Sequence, residues 1–160
     1  MSIVHLHLIL NHVPVIGMGF ALLILGVAAW RRNDGMGRLG LVVMVGLAAV
    51  TAIVFLTGEP AEEAIEGIAG VSESIIHPHE EAAEASLIAT AIAGALALVA
   101  LIAYRRRALP RWVTGTAFTA ALVASSMLAW TANLGGQIRH TEIGRTAAAS
   151  SVDDVEDHKR

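Results

Sequence analysis

The 160-residue chain contains no cysteine and few charged residues. Without cysteine it can form no disulfide, thiolate metal site, iron–sulfur cluster or thioether-attached haem. Charged residues make up 16% and hydrophobic residues 55% of the chain, against about 25% and roughly 45–50% in an ordinary globular domain. The net charge of −3, with no extended basic surface, gives no reason to expect a nucleic-acid partner. The composition therefore excludes a disordered chain and argues against a soluble enzyme.

Charged residues and histidine are also absent from four long apolar runs, Val13–Trp30, Leu39–Gly58, Ala85–Tyr104 and Trp112–Ile138. A helix needs about 20 apolar residues to cross the hydrocarbon of a bilayer. Helices of a soluble bundle would each carry a polar stripe, which these runs lack. The sequence therefore predicts an all-α integral membrane four-helix bundle. We expect a transmembrane domain over residues 1–142, with spans at about 12–30, 39–57, 79–104 and 112–138, and an acidic solvated tail over residues 143–160.

The arginines predict the orientation of these spans. Three lie between the first two spans (Arg31, Arg32, Arg38) and four lie between the last two (Arg105, Arg106, Arg107, Arg111). Such short basic loops stay on the cytoplasmic side. The link over residues 57–86 contains eight glutamates and no lysine or arginine. We therefore expect this loop and both termini to face outward.

Three helix boundaries follow from capping and proline signals. Asn11 is expected to cap the first span, because Pro14 then falls in the first turn, where its missing N–H is harmless. A helix that starts before His5 is the alternative. The loop should contain a short helix between Pro60 and Gly70, and Pro78 should be the first helical residue of the third span.

Most histidines and glutamates lie on the predicted outward side, and none lies near the middle of a span. Ionisable groups at depth mark proton and ion pathways, so their absence argues against a pump. Imidazole and carboxylate groups gathered from several helices are instead suited to iron or zinc. The candidate ligands are His7, His12, Glu62, Glu66, Glu73, His79, Glu80, Glu84 and His140. Arg139 and Glu142 are candidate partners that orient these ligands by hydrogen bonding.

These residues support three hypotheses. The first is a membrane protein that binds one or more non-haem metal ions at the outer face, in redox chemistry or metal handling. The second is a b-type cytochrome with haem between two of the same histidines, which leaves the glutamates unexplained. The third is a non-catalytic accessory or assembly subunit. The corresponding partners, besides the lipid bilayer, are an extracytoplasmic redox carrier, other subunits of a membrane complex, or a second copy of the chain. Whether the protein is an enzyme stays open, because a metal with an open position can activate water or oxygen.

Four motifs resemble those of a group of small bacterial four-span membrane proteins without an established activity. The motifs are Leu6-His7 with Asn11-His12-Val13-Pro14, Thr57-Gly58-Glu59-Pro60-Ala61-Glu62, His79-Glu80-Glu81-Ala82-Ala83-Glu84, and Gly136-Gln137-Ile138-Arg139-His140-Thr141-Glu142. The resemblance covers nearly the whole chain before the acidic tail. It implies the four-span topology and a bacterial origin, and it assigns no catalytic residue. We expect the protein to lie in the bacterial cytoplasmic (inner) membrane.

Overall fold

A computed structural model describes residues 3–63 and 73–139 of the chain. Every regular element in these ranges is helical, and the predicted all-α four-helix bundle is confirmed. The helices are α1 (Ile3–Leu10), α2 (His12–Arg31), α3 (Asp34–Leu56), α4 (Gly58–Glu63), α5 (Glu73–Ala103) and α6 (Arg111–Arg139).

The four long helices pack side by side in a closed ring. The order around the ring is α2, α3, α5 and α6, with α6 packed back against α2. Neighbours in this order are antiparallel, since successive long helices run in opposite directions. The short helix α1 precedes α2 and packs on α3 and α4. Helices α2 and α5 therefore lie diagonally opposite each other.

Small residues allow the helices to approach closely. A Cβ atom added at Gly40 would lie 2.7 Å from Leu25 Cδ2, and one added at Gly94 would overlap Ala48 Cβ. Because these glycines have no side chain, the helix backbones can approach closely there. Close packing of this kind holds helices together where lipid provides no hydrophobic driving force. Alanines, methionines and leucines complete the buried centre, among them Met18 and Met44 with no exposed surface.

The outside of the bundle is apolar. The stretches long and apolar enough to cross a membrane are His5–Arg31, Asp34–Leu56, Ile76–Ala103 and Arg111–Gln137. Only 28–33% of the most apolar part of each stretch is buried within the protein. Large side chains such as those of Leu23, Phe20 and Val99 face outward with 59–64% of their surface exposed. A soluble bundle would not leave this much apolar surface to water, so the chain has the architecture of a multi-pass membrane protein.

The predicted helix start after Asn11 agrees with α2, which begins at His12, whereas the predicted start at Pro78 is wrong. Asn11 has helical backbone angles and forms no side-chain cap, and its N–H donates to His7 O at 2.9 Å. The apolar segment before it is thus helical, as in the alternative start before His5. Pro78 lies inside α5, because this helix begins at Glu73. Pro14 lies in the first turn of α2, where its missing N–H costs little. Pro78 is the sixth residue of α5 and removes one hydrogen bond of that helix.

The short loop helix is described over Gly58–Glu63, with Pro60 in its first turn. The rest of the predicted segment up to Gly70 lies outside the described residues.

The turn between α2 and α3 is tied to the link between α5 and α6. Arg32 ends α2 with φ 54°, and Asn33 Oδ1 caps α3 by accepting the Met36 N–H at 3.0 Å. Asp34 accepts the Leu109 N–H at 2.6 Å and the Arg38 Nε–H at 2.8 Å. Arg38 also donates to the carbonyl oxygens of Tyr104 and Arg107 across the bundle.

We call this side of the molecule, with the turn Arg31–Arg38 and the link 104–111, the arginine end. Sequence reasoning missed the Asp34 contacts, although Asp34 is the only acidic residue in either arginine-rich link.

Candidate metal centre at the histidine end

The opposite side of the bundle carries the histidines. Here α2 and α5 begin and α3 and α6 end, and α1 lies across α3 and α4. We call this side the histidine end and define it by His7, Thr57, His79 and Thr131. Both imidazoles are half-buried.

His7 is oriented by the last turn of α3. Its Nδ1 lies 3.0 Å from Thr57 Oγ1, and that hydroxyl donates its own proton to Val54 O at 2.8 Å. When the hydroxyl proton is used in the bond to Val54 O, the Thr57 oxygen accepts a proton from His7 Nδ1, and Nε2 of the neutral ring then has the lone pair that can bind a metal ion. Gly58 makes room for the ring, because a Cβ there would be 3.7 Å from His7 Cε1.

His79 is oriented in the same way by α6. Its Nδ1 lies 3.1 Å from Thr131 O. A carbonyl oxygen can only accept, so Nδ1 is the donor and Nε2 again carries the lone pair. The ring packs on Gly135, where an added Cβ would be 3.0 Å from His79 Cε1. A glycine at this position is thus needed for the observed position of the imidazole.

A buried hydroxyl network holds the α5–α6 interface next to His79. Thr131 Oγ1 lies 2.8 Å from both Ala82 O and Ser86 Oγ. Thr90, with no exposed surface, donates to Ser86 O at 2.7 Å. These bonds satisfy the polar groups within an otherwise apolar interface and fix the carbonyl of Thr131 that orients His79.

His7 and His79 lie at the same end of the bundle, on α1 and α5, and their charges repel when both rings are protonated. Within the described residues, helix α1 packs on α2, α3 and α4 and not on α5. The fold therefore places at one end of the bundle two half-buried imidazoles far apart in the sequence, each with Nδ1 hydrogen-bonded to the protein. Metal-binding histidines are commonly oriented this way, with the second ring nitrogen donating to a carbonyl or another acceptor.

Three other candidate ligands on described helices are exposed. His12 is exposed at the start of α2, with Nδ1 2.7 Å from Leu8 O of α1. Glu80 and Glu84 lie on the exposed side of α5. Glu80 Oε2 is 3.8 Å from His77 Nδ1, and Glu81 Oε1 is 3.4 Å from His77 Nε2. These side chains are exposed whereas His7 and His79 are half-buried, and a shared ligand role for them stays a prediction.

The remaining candidates are not described. Glu66, His140 and Glu142 lie outside the described residues, as do the side chains of Glu62, Glu73 and Arg139. Within residues 3–63 and 73–139, no group of three or more histidine, aspartate or glutamate side chains is arranged to hold a metal ion. The described part of the site is therefore a pair of imidazoles.

An open apolar cleft of about 560 Å³ lies beside the pair, between α5 and α6. Pro78, Ala82, Met127 and Trp130 line it, and Glu81 is the only charged residue on its wall. Neither His7 nor His79 belongs to the lining.

The fold and this end together define a multi-pass four-helix membrane protein with two oriented imidazoles at one end of the bundle. No protein-family model, curated protein or solved structure matches the chain. The resemblance to small bacterial four-span proteins therefore stays a prediction.

Proposed function

We propose that the protein binds a metal ion at the histidine end, with Nε2 of His7 and Nε2 of His79 as ligands, in redox chemistry or metal handling. One observation carries the proposal. Both rings are half-buried at the same end of the bundle, each with Nδ1 hydrogen-bonded to the protein, so that Nε2 is the candidate ligand atom on each. Iron and zinc suit imidazole nitrogen, and carboxylates or water can complete their coordination.

The distribution of charge supports an outward-facing site. The seven arginines of the two short links lie at the opposite end of the bundle, and loops rich in arginine remain in the cytoplasm. We therefore place the histidine end at the outer face of the bacterial inner membrane. A coordination position without a protein ligand would be open to water, oxygen or a redox partner there.

Additional ligands would come from the acidic loop and the end of α6. Glu62, Glu66, Glu73 and His140 remain our candidates, with Arg139 and Glu142 as hydrogen-bonding partners. His12, Glu80 and Glu84 are weaker candidates, because their side chains are exposed.

The experiment combines elemental analysis with absorption spectroscopy on the full chain purified in detergent. We expect stoichiometric iron or zinc in the wild type, and its loss in His7→Ala and in His79→Ala. His77→Ala is the matched control, because His77 lies two residues from His79 on the same helix but is exposed. Circular dichroism and gel filtration establish that each variant remains folded. Full metal content in the first two variants, or equal loss in the control, would contradict the ligand assignment.

A haem-binding site is the second candidate, because a pair of imidazoles with available Nε2 atoms is also what a six-coordinate haem requires. The same spectrum distinguishes the two. A Soret band lost in His79→Ala would establish a b-type cytochrome, whereas stoichiometric metal without a Soret band supports a non-haem site. A wild-type protein that contains no metal and binds none on titration would leave the accessory-subunit hypothesis.

A further inference from the structure

We propose that the arginine end contains a binding site for the headgroup of an anionic phospholipid, between the end of α2 and the start of α6. This proposal is independent of the metal centre, and it holds whichever way the bundle faces. It rests on uncompensated charge, on the register of α2 against α6, and on the backbone of Arg32.

The charge at this end is strongly one-sided. The two links contain seven arginines and a single acidic residue, Asp34. The Asp34 carboxylate is bonded to Arg38 and to the backbone of Leu109. The other six guanidinium groups belong to exposed residues. Basic clusters beside membrane-spanning helices attract anionic lipid headgroups.

The packing of α2 on α6 brings three of these arginines to one level. Gly26 of α2 faces Phe118 of α6, where an added Cβ would be 3.3 Å from the ring. Arg31 lies five residues beyond Gly26, and Arg111 lies seven residues before Phe118. At about 1.5 Å per residue, these antiparallel steps place the two arginines within about 3 Å of the same level along the bundle. Arg32 is the residue after Arg31 and lies near the same level.

Tryptophans flank the three arginines at the expected depth of the lipid headgroups. Trp30 is 81% exposed and lies under the Arg31 guanidinium, 5.7 Å from the ring centre. Trp112 is 66% exposed and packs edge-on against Tyr104. Exposed tryptophans are typical of the membrane interface. The arginines between them therefore lie where phospholipid phosphates are found.

The backbone of Arg32 adds an independent observation. Arg32 is the only non-glycine residue with positive φ in the described chain. Glycine or asparagine is the usual residue at such a helix end, because other side chains adopt this conformation at a cost. An arginine that occupies this strained position, beside Arg31 in the chain and at the level of Arg111, indicates a role for its side chain.

The test measures lipid binding by native mass spectrometry and by Tm in a neutral detergent. The probes are phosphatidylglycerol and cardiolipin, with phosphatidylcholine and inorganic phosphate as controls. We expect the two anionic lipids to bind and to raise the Tm, and the two controls to have no effect. An equal response to phosphatidylcholine would overturn the proposal. An equal response to inorganic phosphate would show an anion site without lipid recognition and would also overturn it.

Two triple variants locate the site. Arg31→Gln with Arg32→Gln and Arg111→Gln should weaken anionic lipid binding by roughly 100-fold, at about five-fold per arginine. Arg105→Gln with Arg106→Gln and Arg107→Gln removes the same charge at the end of α5, diagonally opposite α2, and should weaken binding much less. Equal losses would show a diffuse charge effect and refute a site between α2 and α6.

A single variant separates lipid binding from folding. Arg32→Gly relieves the backbone conformation while it removes one charge. We expect the Tm without lipid to remain the same or to rise, and lipid affinity to fall about five-fold. Unchanged affinity in this variant would exclude Arg32 from the site and contradict the role inferred from its backbone.

Discussion

Gly135→Ala should weaken metal binding without a change at any proposed ligand. The added Cβ would be 3.0 Å from His79 Cε1 and 3.4 Å from Nδ1, where ordinary contact begins at 3.4 Å. The ring must therefore retreat by about 0.4 Å. Because His79 Nδ1 is already 3.1 Å from Thr131 O, this retreat takes the pair to the outer limit of a hydrogen bond.

The loss of a hydrogen bond that orients a metal ligand costs about 10–100-fold in metal affinity. This corresponds to about 1.4–2.8 kcal/mol. The assay is a titration of the metal-free protein with Co²⁺, followed by its visible absorption, and then competition with Zn²⁺. We expect Gly135→Ala to fall within that range and to retain the helical content of the wild type.

Gly136→Ala is the matched control. It adds the same methyl group one residue further along α6, where a Cβ would meet no atom within 4 Å. Its metal affinity should equal that of the wild type. Wild-type affinity in Gly135→Ala, or an equal decrease in both variants, would refute the placement of His79 at the site.

Two further predictions concern the stability of the bundle. Asp34→Asn should lower the free energy of unfolding by about 1 kcal/mol, because the charged carboxylate accepts bonds from Arg38 and Leu109 yet is partly exposed. Its Tm in detergent should fall accordingly. Gly94→Ala should lower the free energy of unfolding by about 1–3 kcal/mol through overpacking of α5 against Ala48 of α3. Adding Ala48→Gly should restore most of that loss, as measured by thermal unfolding.

Each of these variants has a control on the same chain. Glu59→Gln changes an exposed carboxylate and should leave the Tm unchanged. Gly46→Ala adds a methyl group to α3 where no atom lies within 4 Å, so it should not destabilise the bundle. If Ala48→Gly fails to rescue Gly94→Ala, the close approach of α3 and α5 is not the cause of the instability.

Helix boundaries show where local sequence signals fail. Asn11 and Pro14 have the pattern of a helix start, and α2 does begin at His12, but the apolar residues before Asn11 form a further helix, α1. Pro78 likewise has the pattern of a first helical residue and lies inside α5. A proline near a helix start removes only one hydrogen bond, so the favourable packing of the preceding turn can extend the helix past it.

The sequence by itself determined the bundle and its two chemically different ends. Four apolar runs of membrane-spanning length require helices, because a backbone in lipid must satisfy its own hydrogen bonds. Only the tertiary structure showed that His7 and His79 are half-buried and bonded to neighbouring helices, whereas His12 is exposed. It alone showed that Thr57, Thr131 and Gly135 orient and accommodate the two rings. These contacts join residues about 50 or more positions apart. These contacts depend on how the helices are rotated and packed against each other. Apolar spans without a polar stripe carry no local pattern that specifies this rotation.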